Sequence, residues 1–259
     1  MVDVECAVKK LKASKGDSVE TLSSDNFINA CRDLYVHIAL FLSVALLHAS
    51  IPDIMSHSLI VPIVKNAKKS LNDSNNYRSV AISSIIGKFY DKIVLVKHCD
   101  VLMTMDLQFG FRPGLSTTMC SFVLEEVVDY YSQLNSPVYV TLLDASRAFD
   151  RVNFVKLFKL LLDRKICITT AKFLLCMYVS QRMSVRWCNV LSAPFTCSNG
   201  VKQGGVLSPV LFCVYMDALL KRLSALHVGC RLGKQWVGAL CYADDVTLLA
   251  PTRQASQHM

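Results

Sequence analysis

Two adjacent carboxylates, Asp244 and Asp245, sit in the stretch Cys241-Tyr-Ala-Asp-Asp-Val246 between the apolar runs Val237 to Cys241 and Val246 to Ala250. Each run has the length of a strand, and a two-residue acidic break between such runs reads as a hairpin tip. Side by side, two carboxylates repel, so a positive group is expected between them and a third acid. A divalent cation suits that place, because hard cations prefer carboxylate oxygens. Taken alone, the pair also reads as a solvated Asp-Asp turn. The third acid comes from Pro137-Val-Tyr-Val-Thr-Leu-Leu-Asp144, an apolar, β-rich run ending in one carboxylate.

Several segments must hold these acids in place. Ser58 to Val64 reads as a strand, which Pro62 confines to an edge or marks with a bulge. Lys65, Lys68 and Lys69, a polar loop, and a return strand carrying Arg78 complete a hairpin able to lay cations over a triphosphate. Arg78 is the stronger choice, since a planar guanidinium holds phosphate oxygens bidentately; Lys68 and Lys69 read as a solvated basic face. Gly87 to Met105 has helical period, with Phe89, Ile93, Val94 and Val101 facing inward. Gln108 to Thr117 breaks that helix with Gly and Pro, and Thr117 to Leu134 is a helix with Glu125, Glu126 and Asp129 on its wet side. Asn153 to Arg164 and Thr169 to Gln181 look like helices packed on the sheet. Met183 to Trp187 and Ala193 to Ser198 form a short strand pair leading into the Gly-rich loop Asn199 to Pro209. Pro209 to Ala225 is then an apolar helix with Pro209 in its first turn, where a missing N–H is harmless.

Composition bounds the rest. At 259 residues and 53% hydrophobic content the chain can bury a substantial core, and no repeat or low-complexity tract divides it. A net charge of +8 with only 19% charged residues suits a phosphate-bearing partner without requiring one. Eleven cysteines, with no C-x-x-C pair, point to a reducing, intracellular compartment and free, mostly buried thiols. No signal peptide is evident in the mixed, charged stretch Met1 to Lys12. Leu34 to Ser50 lacks charge and approaches membrane-span length, but His37, His48, Ser43 and Ile51-Pro52 favour a buried helix and no membrane.

The order D-x-x-x-A-F-D at Asp144 to Asp150, G-V-x-Q-G-G-x-L-S-P at Gly200 to Pro209, and Y-A-D-D at Tyr242 to Asp245 resembles the palm of reverse transcriptases of non-LTR (LINE-type) retrotransposons. The likeness runs from about Val4 to Ala250, with a partial match at Val8-Lys-Lys-Leu-Lys12 and the Gly16-Asp17 turn. The implied fold is mixed α/β (α+β): right-hand polymerase fingers and palm, the palm an antiparallel sheet backed by helices, as one domain over 1–259. Roughly 1–135 would be mostly fingers with the template-contacting segment and 136–259 mostly palm, truncated before the thumb. The implied activity is RNA-directed DNA polymerisation, in which a primer 3′-hydroxyl attacks the α-phosphate of a dNTP. Two divalent cations about 3.5 to 4 Å apart can stabilise both ends of that displacement.

The resemblance makes Asp144, Asp244 and Asp245 catalytic and, with the Ala145 carbonyl, ligands of two Mg2+ ions, Mn2+ being an alternative. It gives nucleotide contacts to Lys65, Arg78, Ala145, Phe149, Gln203 and Gly204, with the Phe149 ring selecting against a 2′-hydroxyl. Gly110, Arg112 and Ser116 would lie along the template strand; the other reading of this segment is a surface turn capping the next helix. Asp150 is expected to make a structural hydrogen bond, and Phe149 reads equally as ordinary core. Partners are an RNA template, a DNA primer and dNTPs, with no obligate protein partner. Ser79 and Leu115 depart from the family pattern and fit a decayed or shortened copy. The alternative function, expected if the thumb is missing, is a catalytically dead retrotransposon remnant that only binds nucleic acid, and an RNA polymerase using ribonucleotides is disfavoured by Phe149. Neither the family's thumb nor its endonuclease is expected within these residues.

Overall fold

The computed structural model describes residues 2–16 and 22–259. In chain order its elements are α1 (Val2–Lys9), α2 (Ser24–Ile28), α3 (Arg32–His48), α4 (Asp53–Ser56), β1 (His57–Val64), β2 (Tyr77–Ser83), α5 (Ile85–Lys97), α6 (Thr117–Gln133) and β3 (Tyr139–Leu143). There follow α7 (Phe154–Asp163), α8 (Ile168–Val179), β4 (Arg182–Trp187), β5 (Val190–Leu191), β6 (Phe195–Thr196), α9 (Ser208–Ala225), β7 (Arg231–Leu232), β8 (Gln235–Trp236), β9 (Ala239–Tyr242), β10 (Asp245–Ala250) and α10 (Arg253–His258). Contacts gather these into two compact units, Met1–Val101 with Asn153–Ser208, and Leu102–Val152 with Pro209–Met259.

The first unit is built on a five-stranded sheet of order β2-β1-β4-β5, with β6 also paired to β4. β1 and β2 form the expected hairpin, in register from Ser58↔Ser83 to Val64↔Tyr77. β4 runs parallel to β1 only over His57↔Arg182 to Ile60↔Val185. Pro62 therefore lies where β1 has one neighbour, which satisfies the edge requirement of proline inside a strand of an otherwise central position. α5 buries Phe89 and Val94 as its period requires, but it stops at Lys97 rather than Met105. Ile93 and Val101 are half-buried instead of fully inward. Ser84 caps the start of α5, its hydroxyl accepting from the Gly87 N–H.

The apolar stretch at Leu34 does form a helix, α3, but not a buried one. Only Ile38, Leu42 and Ala45 are buried, while Leu40, Val44 and Leu47 stay exposed, Leu47 at 75%. A single narrow stripe is all that its neighbours cover. No helix among the described residues is long and apolar enough to cross a membrane. Gly16 bridges to Ser23, whereas Asp17, its expected turn partner, lies outside the described residues.

The second unit carries a three-stranded antiparallel sheet of order β3-β10-β9 and the small hairpin β7-β8. Leu240, Cys241, Val246, Leu248 and Leu249 of the sheet pack with Val127 of α6 and Leu220 and Leu223 of α9 in one cluster. This is the antiparallel sheet backed by helices that the sequence implied. Each fully buried Leu or Val there contributes about 1.5 to 3 kcal/mol. β3 is the open edge, and its apolar side chains are largely exposed, Leu142 at 76%. All eleven cysteines are free as expected, but only Cys213, Cys230 and Cys241 are buried, so the thiols are not mostly interior.

Candidate functional site

The hairpin expected around Asp244 is present. β9 and β10 pair from Asp245↔Tyr242 to Leu248↔Ala239, leaving Ala243 and Asp244 as the turn. On its other side β10 pairs with β3, Val246 opposite Leu143 and Ala250 opposite Tyr139. One further step along that ladder sets Asp245 beside Asp144, the residue following β3. Hydrophobic burial of β10 thus fixes the register, and the register aligns two carboxylates that are a hundred residues apart in the chain. Asp245 is held above the usual carboxylate range by burial first, then by the negative fields of Asp244 and Asp144. The three acids therefore share one electrostatic neighbourhood. They are not closed into one ligand set: among the described residues no three His, Cys, Asp or Glu side chains gather to hold a metal ion. Their chemistry still fits a hard divalent cation, being all oxygen donors in mutual repulsion. Cys241, a soft donor on the same hairpin, is buried in the core, which pushes its thiol up to about 12.

The turn is strained and clamped. Ala243 adopts a left-handed φ of 58°, a conformation that costs a residue with a Cβ roughly 1 kcal/mol. The side chain of Gln108, which has no exposed surface, holds it there. Gln108 Oε1 accepts from Ala243 N–H at 3.1 Å and from Gly110 N–H at 2.9 Å, and its Nε2 donates to the Ala243 carbonyl at 3.5 Å. Backbone bonds from Cys241 N–H to Leu107 O and from Phe109 N–H to Cys241 O, both 2.8 Å, bind the same segment to β9. A Cβ on Gly110 would overlap the Ala243 backbone nitrogen and come within 2.8 Å of its Cα. Glycine is thus required at 110 by the Ala243–Asp244 turn itself. Cys213 donates its S–H to the Gly110 carbonyl at 3.3 Å.

Most of the remaining residues proposed for this unit have visible structural duties. Arg112 donates to the Met105 carbonyl at 2.9 Å and pairs with Asp106 at 3.3 Å, so its guanidinium braces the 105–108 segment. Ser116 is the N-cap of α6, its hydroxyl accepting from Met119 N–H, which matches the capping alternative. Ala145 is exposed beyond β3. Phe149 stacks on Phe212 with centroids 4.5 Å apart and meets Phe111 edge-on at 6.0 Å. Asp150 is exposed, and its N–H donates to Arg147 O. Asp217 went unremarked in the sequence. It has no exposed surface, accepts from Met105 N–H at 2.7 Å and pairs with Lys221 at 2.9 Å. A lone acid in an apolar helix with a lysine four residues on was its sequence signal.

In the other unit, Lys65 closes the β1–β2 loop, donating from Nζ to the Asn75 carbonyl at 2.9 Å. Arg78 is exposed on β2 opposite Ile63. Gln203 O accepts from Ala81 N–H at 2.6 Å, and Gly204, with φ of 96°, would bring a Cβ within 2.8 Å of the Ala81 carbonyl. The Gly-rich loop is therefore seated on β2 through its backbone.

A family model described as reverse transcriptase (RNA-dependent DNA polymerase) matches residues 65–259. The Pol polyprotein of the type-1 retrotransposable element R2 of Nasonia vitripennis is 28% identical over 185 residues, covering 70% of this chain and 18% of that protein. The type-2 element R2DM polyprotein of Drosophila melanogaster is 24% identical over 203 residues, 78% of this chain and 19% of that protein. The probable RNA-directed DNA polymerase of the X-element of the same fly is 26% identical over 201 residues, 75% and 21%. The chain thus spans about a fifth of the length of these curated relatives. Among solved structures, apo telomerase of Candida tropicalis truncated from its C-terminal domain superposes with a TM-score of 0.54 at 12% identity, over 86% of this chain and 50% of that one. The likeness at that identity is one of fold. The chain belongs to the reverse transcriptase (RNA-dependent DNA polymerase) family, as a domain of the LINE type.

Proposed function

We propose that this chain is the polymerising core of an RNA-directed DNA polymerase, adding dNTPs to a primer 3′-hydroxyl on an RNA template. The observation that supports this reading is the β3–β10 register, whose last pair, Val246↔Leu143, leaves Asp245 and Asp144 as the next residue of each segment, with Asp244 in the adjoining turn. Asp144, Asp244, Asp245 and the Ala145 carbonyl would hold two divalent cations, Mg2+ first and Mn2+ as a substitute. When bound, such ions neutralise charge at the reacting phosphate and on the attacking and leaving oxygens. The chain's own groups do the rest. Asp244 and Asp245 are presented by a turn that Gln108 keeps in one conformation. The Phe149 ring, fixed by its stack on Phe212, supplies a rigid wall against a ribose 2′-hydroxyl. Arg78 and Lys65 are the cations for the nucleotide phosphates, and Gln203 and Gly204 the backbone surface for the nascent pair. Gly110, Arg112 and Ser116 form the template-side segment, in which Arg112 acts by bracing as much as by charge.

The test is primer extension on an RNA template with dNTPs and Mg2+. Extension is expected from the unaltered chain and loss of it in Asp244→Asn. Incorporation that survives this substitution would sink the assignment. Salt-dependent binding of primer–template with no extension would instead leave a nucleic-acid-binding role alone.

A further inference from the structure

The most unusual polar arrangement outside the acidic turn lies under the Gly-rich loop, within the first unit. Asp91 of α5 and Lys202 of the loop line one small, partly open cavity of about 20 Å3, also lined by Tyr178, Gln181, Ser83 and Ser208. That volume is of one-water size. Asp91 Oδ2 accepts the Leu207 N–H at 3.4 Å, and the Val206 N–H also reaches this carboxylate. Lys202 Nζ donates to Ser58 Oγ of β1 at 3.0 Å. Gln181, only 2% exposed, places its Nε2 in this region without a hydrogen-bond partner. Both residues are half-buried overall, and drawing two opposite charges out of water can cost more than their attraction returns unless further hydrogen bonds satisfy them. Here both charges grip the same six-residue loop from opposite ends, and between them sit Gln203 and Gly204.

We propose that Asp91 is a positioning residue: with Lys202 it clasps the Gly-rich loop so that the Gln203–Gly204 turn stays seated on β2. The assignment of that turn to the nucleotide rests on the function proposed above; the clasp itself does not. Its mechanism is direct. The Ala81 N–H to Gln203 O bond of 2.6 Å and the left-handed Gly204 hold the middle of the loop. The Leu207 side chain is buried in the core; the carboxylate adds acceptors for the N–H groups of 206 and 207, and the ammonium anchors residue 202 to β1.

The ionised form of Asp91 is required, since a charged acceptor binds N–H groups about twice as strongly as a neutral one. Burial raises the Asp91 carboxyl to about 6, while Lys202 first, then the Leu207 N–H and Lys88, pull it back. Tyr90 on α5 and Tyr178 on α8 also face it, and Cys197 faces Lys202. Burial likewise lowers Lys202 to about 8, with Asp91 opposing. The clasp is therefore complete between about pH 6 and 8 and opens on the acid side as Asp91 takes up a proton.

Amide hydrogen exchange on the full chain tests this without needing activity. In Asp91→Asn the Ala81 and Leu207 amides are expected to exchange about tenfold faster at pH 7, a local opening that leaves amides of the β9–β10 hairpin unchanged. In the unaltered chain the same two amides, corrected for intrinsic rates, should loosen as pH falls through about 6, and the variant should show no such step. Equal exchange in both proteins, or an acid step that persists in the variant, overturns the clasp. In chain that extends primers, the variant should raise KM for dNTP several-fold with a smaller change in kcat. A loosened loop with unchanged KM would overturn the positioning role. Absence of any extension would reject the proposed function, and exchange would still decide the clasp.

Discussion

Asp245 carries the electrostatic cost of standing near two other acids, Asp244 and Asp144. Its acidity is weakened by burial and by Asp244 and Asp144, so the folded chain binds a proton there more readily than the unfolded chain does. Stability from this group is therefore fully present below the unfolded carboxylate range and is lost as pH rises through the folded value. Asp245→Asn in metal-free solution is expected to unfold roughly 1 to 2 °C above the unaltered chain at neutral pH, the gap closing as pH falls. Thermal unfolding at several pH values checks this, and a variant less stable at neutral pH would contradict the repulsion. The same substitution should cost extension activity about a hundredfold or more, because an interaction needed at the reacting phosphate is gone. Phe149 is a second case. Its stack on Phe212 fixes the ring, so Phe149→Ala should reduce discrimination between dNTPs and rNTPs about tenfold or more in kcat/KM. Unchanged discrimination would return Phe149 to a packing role.

The hairpin and its supporting segment act as one piece. Replacing Gln108 with leucine keeps the volume but leaves the Ala243 and Gly110 N–H groups buried without their acceptor, a loss of about 1 to 3 kcal/mol for each group left unpaired. Extension should fall with it, since Asp244 follows Ala243 directly. Gly110→Ala should be worse, because a Cβ meets backbone that cannot yield, and chemical denaturation should record a loss of several kcal/mol.

This support was only partly readable in the sequence. The strands on either side of Asp244 and the run ending in Asp144 announced themselves by apolar length and bounding polar residues, and both formed as expected. Gln108 did not, because an amide's value lies in which backbone groups it meets, and residues 108 and 243 are far apart in the chain. Asp91 was hidden for the same reason, while Asp217 had only the i,i+4 spacing to Lys221 to mark it. Helix ends were misjudged where periodicity outlasted pairing: α5 stops at Lys97 although apolar residues continue to Met105. α3 had the composition of an interior helix, but composition does not count the neighbours available to cover it.

Chain order and compact units also differ. A partition near residue 135 follows the sequence, whereas each compact unit is assembled from two separate stretches, something no local pattern encodes. The pairing of Asp91 with Lys202 belongs to this level, since α5 and the Gly-rich loop are over a hundred residues apart, and it makes the pH dependence of stability a global readout. Asp91 is raised to about 6 by burial, so its contribution is present below the unfolded value near 3.8 and is lost as pH rises through 6. Lys202 is lowered to about 8 by burial, so the folded chain gains as pH rises from 8 toward the unfolded value near 10.5. The pair therefore penalises folding most between about pH 6 and 8, the same window in which the clasp is complete. Asp91→Asn combined with Lys202→Met removes both charges at similar volume. That double variant is expected to exceed the unaltered chain by about 1 to 4 kcal/mol near pH 7, with the difference shrinking toward either extreme. Urea unfolding across the pH range measures it. A difference that stays flat with pH would mean that these two charges do not set the curve, and a double variant less stable at pH 7 would mean that their attraction outweighs their burial.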